Sequence, residues 1–317
     1  MSETKLSRRI RLGMVGGGQG SLIGEAHRIA SRLDDKYEFC AGSLSSDPAR
    51  SMASAKEIGL SPDRSYSDYN EMANSEATRN DGIDVVAVVT PNNTHYAIAK
   101  TFLEAGIHVI CDKPMTLTVE EADSLREIAK RNDKILAVTY NYTGYAMVRE
   151  AREIIARGDL GEIRVIQAHY AQDWLTNRIE LEGQKQAAWR TDPSKSGVGG
   201  TINDVGTHAY HLACFVSGLK LESLCADLST FVEGRLLDDN ANILLRFKGG
   251  AKGMLWASQI AVGNENDVKI SVYGDKGGLI WQQEQPNEIS FMEFGKPRQR
   301  ITRGGPSGHP TSPTSII

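Results

Sequence analysis

Cysteine is scarce in this sequence. Four residues in 317 (Cys40, Cys111, Cys214, Cys225) show no close pairing and no metal-ligand spacing. That argues against a disulfide scaffold or a zinc-finger-like site and fits reduced thiols in a cytoplasmic protein. No window of about 18 apolar residues occurs, so no membrane-spanning helix is expected. The first residues lack a signal-peptide core. Basic runs are absent as well. With 36 Lys and Arg against 40 Asp and Glu, the net charge is −4, so nothing points to a nucleic-acid surface. There is no internal repeat. A chain that is 40% hydrophobic and 24% charged is ordinary for a globular protein, and its length suits two domains.

Residues 10–140 alternate strand and helix signals. An apolar run at 10–15 ends in glycines, and helical spacing follows at 26–33. Asp47-Pro48 opens a helix as N-cap and first helical residue. "VVAVV" at 85–89 is a β-branched run of the kind found in a strand covered on both faces. Helices are expected at 95–105 and 119–131, and strands at 107–111 and 135–139. This spacing predicts a doubly wound parallel sheet in an α/β domain over 1–140. Residues 141–300 change pattern. A helix at 147–156 is followed by strands at 163–170, 224–232, 241–247, 253–258, 268–273, 278–281 and 288–294. One clear helix interrupts them, at roughly 200–216. "RFKGGAKGMLW" reads as a glycine-bearing hairpin. The expectation is an α+β domain with an open, mostly antiparallel sheet. Residues 301–317, rich in Gly, Pro, Ser and Thr, read as an irregular tail.

"IRLGMVGGGQGSLIGEAHRIA" sets a strand, a glycine turn and a helix start at the head of a βαβ unit, the context of a dinucleotide fingerprint. Gly16 and Gly18 give the tight turn and the close approach of backbone to a pyrophosphate. The helix N-terminus adds unpaired N–H groups. The third glycine, Gly24, lies six residues past Gly18 rather than three, which implies a longer loop. Where NAD enzymes carry a ribose-binding acid, this sequence has Ser45 and Ser46. Two hydroxyls and Arg50 are able to accept a 2′-phosphate, so NAD and NADP both stay open, with a slight lean to NADP. Asp47 lies close by, with helix capping as its plain role.

Thr90-Pro91-Asn92 follows a strand at its carboxyl end, where ligands bind in open α/β sheets. Asn92 and His95 either face the nicotinamide side or serve as turn former and helix-start residue. "VICDKPM" places Asp112 and Lys113 at the end of the next strand, beside the same crevice, with Pro114 fixing the path. Lys113 is then a candidate for proton transfer. Asp204 and His208 lie four apart on an expected helix. An acid there fixes the tautomer of the histidine and suits it to act as a general base. His211 continues the stripe, so a metal reading of Asp204, His208 and His211 is the weaker alternative, and no metal is expected. Gln172 and Trp174 end a strand, and Trp189 and Arg190 fall in a polar loop. With Tyr142, these suit a polyhydroxylated ring.

In order along the chain, the glycine loop, "TPNNTH", "DKP" and "DVGTH" resemble the motifs of the Gfo/Idh/MocA oxidoreductases. The resemblance implies a Rossmann domain and a C-terminal domain whose open sheet joins copies into a dimer or tetramer. It also implies NAD(P) and hydride transfer at a hydroxyl carbon of a sugar or cyclitol. The family's Glu-Lys-Pro lysine falls on Lys113, with Asp112 in place of Glu, and its Asp–His pair falls on Asp204 and His208. The family pattern continues beyond Gly-His-Pro, whereas this chain ends at "GHPTSPTSII", so a truncated C-terminus is expected. The remaining alternatives are a non-catalytic NAD(P)-binding sensor and a metal-dependent lyase or hydrolase.

Overall fold

A computed structural model describes residues 8–304. The chain forms two compact units and passes from one to the other between Thr139 and Tyr140.

The first unit runs β1 (Ile10–Gly16), α1 (Leu22–Leu33), β2 (Tyr37–Ser43), α2 (Pro48–Glu57), α3 (Tyr69–Thr78), β3 (Val85–Val89), α4 (His95–Glu104), β4 (His108–Cys111), α5 (Val119–Arg131) and β5 (Leu136–Val138). The strands form one parallel sheet in the order β2-β1-β3-β4-β5. All five residues of β3 are buried, as a β-branched strand covered on both faces requires. Side-chain caps start the helices: Ser21 for α1, Asp47 with Pro48 for α2, Asp68 for α3 and Thr118 for α5. α3 has no apolar stripe in sequence, because only Met72, Ala73 and Glu76 turn inward.

Glu76 is buried and gathers Arg64, the Tyr66 hydroxyl (2.8 Å) and the Ile83 N–H (3.1 Å). Arg64 is itself buried, and after Glu76→Ala only the exposed Asp81 carboxylate, 3.6 Å away, would remain to balance its charge. We expect a loss of about 3–5 kcal/mol, read as a lower urea midpoint.

The second unit runs α6 (Ala146–Ala156), β6 (Ile163–Ala171), α7 (Lys185–Arg190), α8 (Pro193–Ser196), a π-helical turn (Ile202–Gly206), α9 (Thr207–Ser217), β7 (Leu221–Ser229), β8 (Asn240–Phe247), β9 (Lys252–Ser258), β10 (Asp267–Gly274), β11 (Gly277–Gln282), β12 (Glu288–Glu293) and β13 (Gln299–Thr302). Its eight strands lie in the order β13-β12-β11-β10-β6-β9-β8-β7. Only β6–β9 is a parallel pair; the other neighbours are antiparallel. Apolar residues of α6 (Met147, Ala151, Ile154) and α9 (Ala209, Leu212, Val216) share one core with Ile166, Ile270 and Val272 of the sheet. Side chains that alternate with these, including Val165, Leu244 and Met254, are exposed, which leaves one sheet face open.

Four local expectations are corrected. The helix expected over 200–216 is a π-helical turn followed by an α-helix. Trp189 and Arg190 stand in α7 rather than in a loop, because Gln184 caps a helix too short to show periodicity. β7 lies three residues earlier than expected, since a largely exposed edge strand shows no alternation. Residues 301 and 302 belong to β13, paired with β12, rather than to the tail. Residues 305–317, including the expected truncation after Gly-His-Pro, lie outside the described residues. Among the described residues no helix is long and apolar enough to cross a membrane.

Candidate active site

In the first unit, β1, β2, β3 and β4 all end on one edge of the sheet, and the chain departs from β1 and β3 in opposite directions. That divergence is the switch point at which open α/β sheets bind ligands. Gly16 and Gly17 have φ of +79° and +76°, a backbone conformation that glycine adopts without strain. A Cβ on Gly18 would lie 2.6 Å from the Leu44 carbonyl oxygen, and one on Gly24 would lie 2.3 Å from Gly17 Cα. The longer spacing to Gly24 therefore keeps the close packing of helix on loop that the third glycine provides. Arg28 donates to the Gly17 carbonyl at 2.7 Å and fixes the loop from α1. A cavity of about 580 Å³ adjoins Gly17 to Leu22. This bare backbone beside a helix N-terminus fits a dinucleotide pyrophosphate.

Ser45 and Ser46 follow β2. Asp47 accepts from the Arg50 N–H at 2.7 Å, so capping is its visible role, and Arg50 donates to the Gln19 carbonyl at 2.8 Å. Thr90, Pro91 and Asn92 follow β3. Asp112 and Lys113 follow β4, both partly buried. Asp112 turns inward: its Oδ1 lies 3.0 Å from His27 Nε2 and accepts from the Thr139 hydroxyl at 2.7 Å. Burial works to raise the Asp112 carboxyl, but His27 and Thr139 outweigh it and hold it below its ordinary value. His95 does not face outward. It is fully buried, with Nδ1 2.7 Å from the Pro114 carbonyl and Nε2 2.9 Å from that of Thr90. Its helix-start position stands, and a nicotinamide contact through its ring does not.

The second unit gathers Tyr142, Gln172, Trp174, Trp189, Arg190, Asp204 and His208. Asp204 Oδ2 accepts from Arg190 Nε at 3.0 Å and from Gln259 Nε2 at 2.9 Å. Arg190 lies over the rings of Trp189 (4.2 Å) and Trp174 (5.9 Å). Trp174 Nε1 donates to Gln172 Oε1 at 3.1 Å, and Gln172 Nε2 donates to Asn266 Oδ1 at 2.9 Å. Asn266, Tyr142 and Tyr170 then close a ring. Asn266 Nδ2 donates to Tyr142 (3.3 Å), Tyr142 to Tyr170 (2.8 Å), and Tyr170 back to Asn266 Oδ1 (2.6 Å). His208 stands among the rings of Tyr140, Tyr142 and Tyr170. Burial pushes all three phenols up, so they remain neutral donors at working pH.

Gln259, Asn266, Tyr170 and Thr201 gave no signal in sequence. The parallel pairing of β6 with β9 explains the first. Ala171 is in register with Ser258, so the residues that follow, Gln172 and Gln259, emerge side by side. Gln259 is buried and accepts from the Thr201 hydroxyl at 3.0 Å while it donates to Asp204. Gln259→Leu is expected to lower kcat about tenfold, the rate equivalent of one buried hydrogen bond. Cofactor affinity should be unchanged; steady-state kinetics and a cofactor titration check both. His211, the third residue of the metal alternative, stacks on Tyr140 with ring centroids 4.0 Å apart. Among the described residues no group of three or more His, Cys, Asp or Glu is placed to hold a metal ion.

Residues 10–140 match a family described as "Oxidoreductase family, NAD-binding Rossmann fold", and residues 148–280 match "GFO/IDH/MocA C-terminal domain". Fold and glycine cradle thus define an NAD-binding oxidoreductase. The chain belongs to the Gfo/Idh/MocA family. It is similar to the oxidoreductase YfiI of Bacillus subtilis, at 36% identity over 310 residues, covering 96% of this chain and 78% of that protein. It is also similar to an inositol dehydrogenase homolog of Azotobacter vinelandii, solved with NADH and myo-inositol. That likeness has a TM-score of 0.90 at 38% identity, over 96% of this chain and 78% of the other. Levoglucosan dehydrogenase of Pseudarthrobacter phenanthrenivorans is 26% identical over 312 residues, covering 89% and 76%.

Proposed function

We propose that the protein oxidises a secondary hydroxyl of a neutral sugar, cyclitol or related polyol, reversibly, with NAD(H) or NADP(H) as partner. The observation that carries this reading is the Asp204 network. Arg190 and Gln259 hold the carboxylate, and tryptophan faces, amides and tyrosine hydroxyls surround it. That lining suits a ring dense in hydroxyls. Arg190 is already matched by Asp204, so the lining offers no unspent positive charge on that pair for an acid or phosphate. The substrates of the inositol dehydrogenase homolog and of levoglucosan dehydrogenase are compatible with the same chemistry.

The nucleotide supplies the hydride acceptor at its nicotinamide when bound. Gly16, Gly18 and Gly24 hold its pyrophosphate, Ser45, Ser46 and Arg50 its ribose end, and Thr90, Pro91 and Asn92 its nicotinamide side. His208 takes the proton of the substrate hydroxyl, with Lys113 assisting or replacing it. Asp204 orients His208 or accepts from a substrate hydroxyl. Tyr142, Gln172, Trp174, Trp189 and Arg190 bind the ring. A cytoplasmic protein that self-associates through the open face of the eight-stranded sheet completes the reading, and the exposure of Val165, Leu244 and Met254 supports it.

The test is titration of NADH and NADPH by fluorescence, followed by a scan of inositols and neutral aldoses for reduced-nicotinamide absorbance. Binding with turnover is expected. Binding without turnover on any polyol would favour a sensor. Sedimentation of the same sample would measure the self-association.

A further inference from the structure

We propose that His27 and His95 are positioning residues for Lys113, each fixing the main chain on one side of it. The proposal rests on the reading of Lys113 as a proton-transfer group. Asp112 precedes the lysine and Pro114 follows it. His27, on α1, lies 3.0 Å from the Asp112 carboxylate, with side-chain exposures of only 16% and 13%. The Thr139 hydroxyl, just past β5, donates to the same oxygen at 2.7 Å. On the other side, His95 opens α4 with its Nδ1 2.7 Å from the Pro114 carbonyl and its Nε2 2.9 Å from the Thr90 carbonyl.

Both histidines lie in the first unit, and neither has another role in the proposed chemistry. Buried polar side chains cost stability unless they are bonded, so an apolar pair would serve better for cohesion alone. What the imidazoles add is direction. The bonds to Asp112 and the close contacts of the His95 ring with the Pro114 and Thr90 carbonyls join the segments that follow β3, β4 and β5, together with the helix that follows the glycine loop. The peptides on both sides of Lys113 are thus held to the cofactor-binding edge of the sheet. A lysine with four rotatable bonds gains orientation when its root is fixed.

A purely structural role would lower the yield of folded protein and leave kcat of the folded fraction alone. A positioning role moves kcat while KM for cofactor stays. The experiment compares His27→Leu, His27→Gln, His95→Leu, Thr139→Val and Lys113→Met in the full chain, with kcat and KM corrected for folded fraction by circular dichroism. His27→Leu and His95→Leu should each lower kcat by about tenfold or more, with cofactor KM within about twofold, as expected for a displaced catalytic group. His27→Gln, which keeps a donor near the position of Nε2, should recover most of the loss.

If the leucine variants fail to fold, Thr139→Val decides. It is nearly isosteric, and a kcat reduced severalfold supports the proposal. Near-normal kcat in the folded leucine variants, or in Thr139→Val where those variants do not fold, with Lys113→Met strongly impaired, overturns the proposal and leaves the lysine reading intact. Near-normal kcat in Lys113→Met overturns the lysine reading, and the proposal with it.

Discussion

Lys113→Met is expected to lower kcat by about 10²–10⁴-fold, the range that one positioned acid or base contributes. The affinity for reduced cofactor should change by no more than about threefold, since the glycine loop is untouched and one partly solvated polar contact is worth about 1 kcal/mol or less. Methionine keeps the length and apolar stem of lysine, so it replaces the packing and removes only the amine. Lys113 stands two residues past β4, at the ligand-binding edge of the parallel sheet, between residues tied down by His27 and His95. The ratio of kcat to cofactor affinity separates a reagent from a surface lysine. A parallel loss of both would indicate a damaged cofactor site instead.

The second large effect is at Gly24. An alanine there would put its Cβ 2.3 Å from Gly17 Cα and 2.6 Å from the Gly17 carbonyl oxygen. These are backbone atoms, and the loop around them is fixed. Gly17 has a positive φ, and its carbonyl accepts from Arg28. No flexible side chain is available to give way, so the loop must shift. We expect Gly24→Ala to weaken cofactor binding about 30-fold, roughly 2 kcal/mol. The protein should also lose about 1–3 kcal/mol of stability through overpacking. Fluorescence titration of NADH and urea unfolding read the two effects. An unchanged dissociation constant would show that the loop between Gly18 and Gly24 does not serve the nucleotide.

Much of the first unit was legible because its elements advertise themselves locally. A run of β-branched residues marked β3, Asp47-Pro48 marked α2, and glycines marked the end of β1. The failures share a physical cause. α7 and β13 are short and bury at most one residue, and α3 turns only Met72, Ala73 and Glu76 inward, so none of the three sets a clear apolar period. Trp189 and Arg190 stand out in the sequence as candidate ring-binding residues, whereas the helix that presents them does not. Gln259 and Asn266 are single polar residues whose meaning comes from pairing across 87 and 94 positions with Gln172. Only the parallel register of β6 and β9, which no local pattern encodes, brings the two glutamines together. His27 and Thr139 escaped for the same reason: each meets Asp112 from a different segment. His95 was visible as a candidate, but its direction, inward onto two carbonyls, is a tertiary fact.

The most direct test follows the hydride. The protein would be incubated with oxidised nicotinamide cofactor and a panel of inositols and neutral aldoses deuterated at their carbinol carbons. The reduced cofactor would then be examined by mass spectrometry. The expected result is reduced cofactor one mass unit heavier with at least one of these polyols, formed by the wild type and at least about a hundredfold more slowly by Lys113→Met. Cofactor that binds yet is never reduced by any neutral polyol, or is reduced without gaining deuterium, would contradict a dehydrogenase acting on a hydroxyl-bearing carbon.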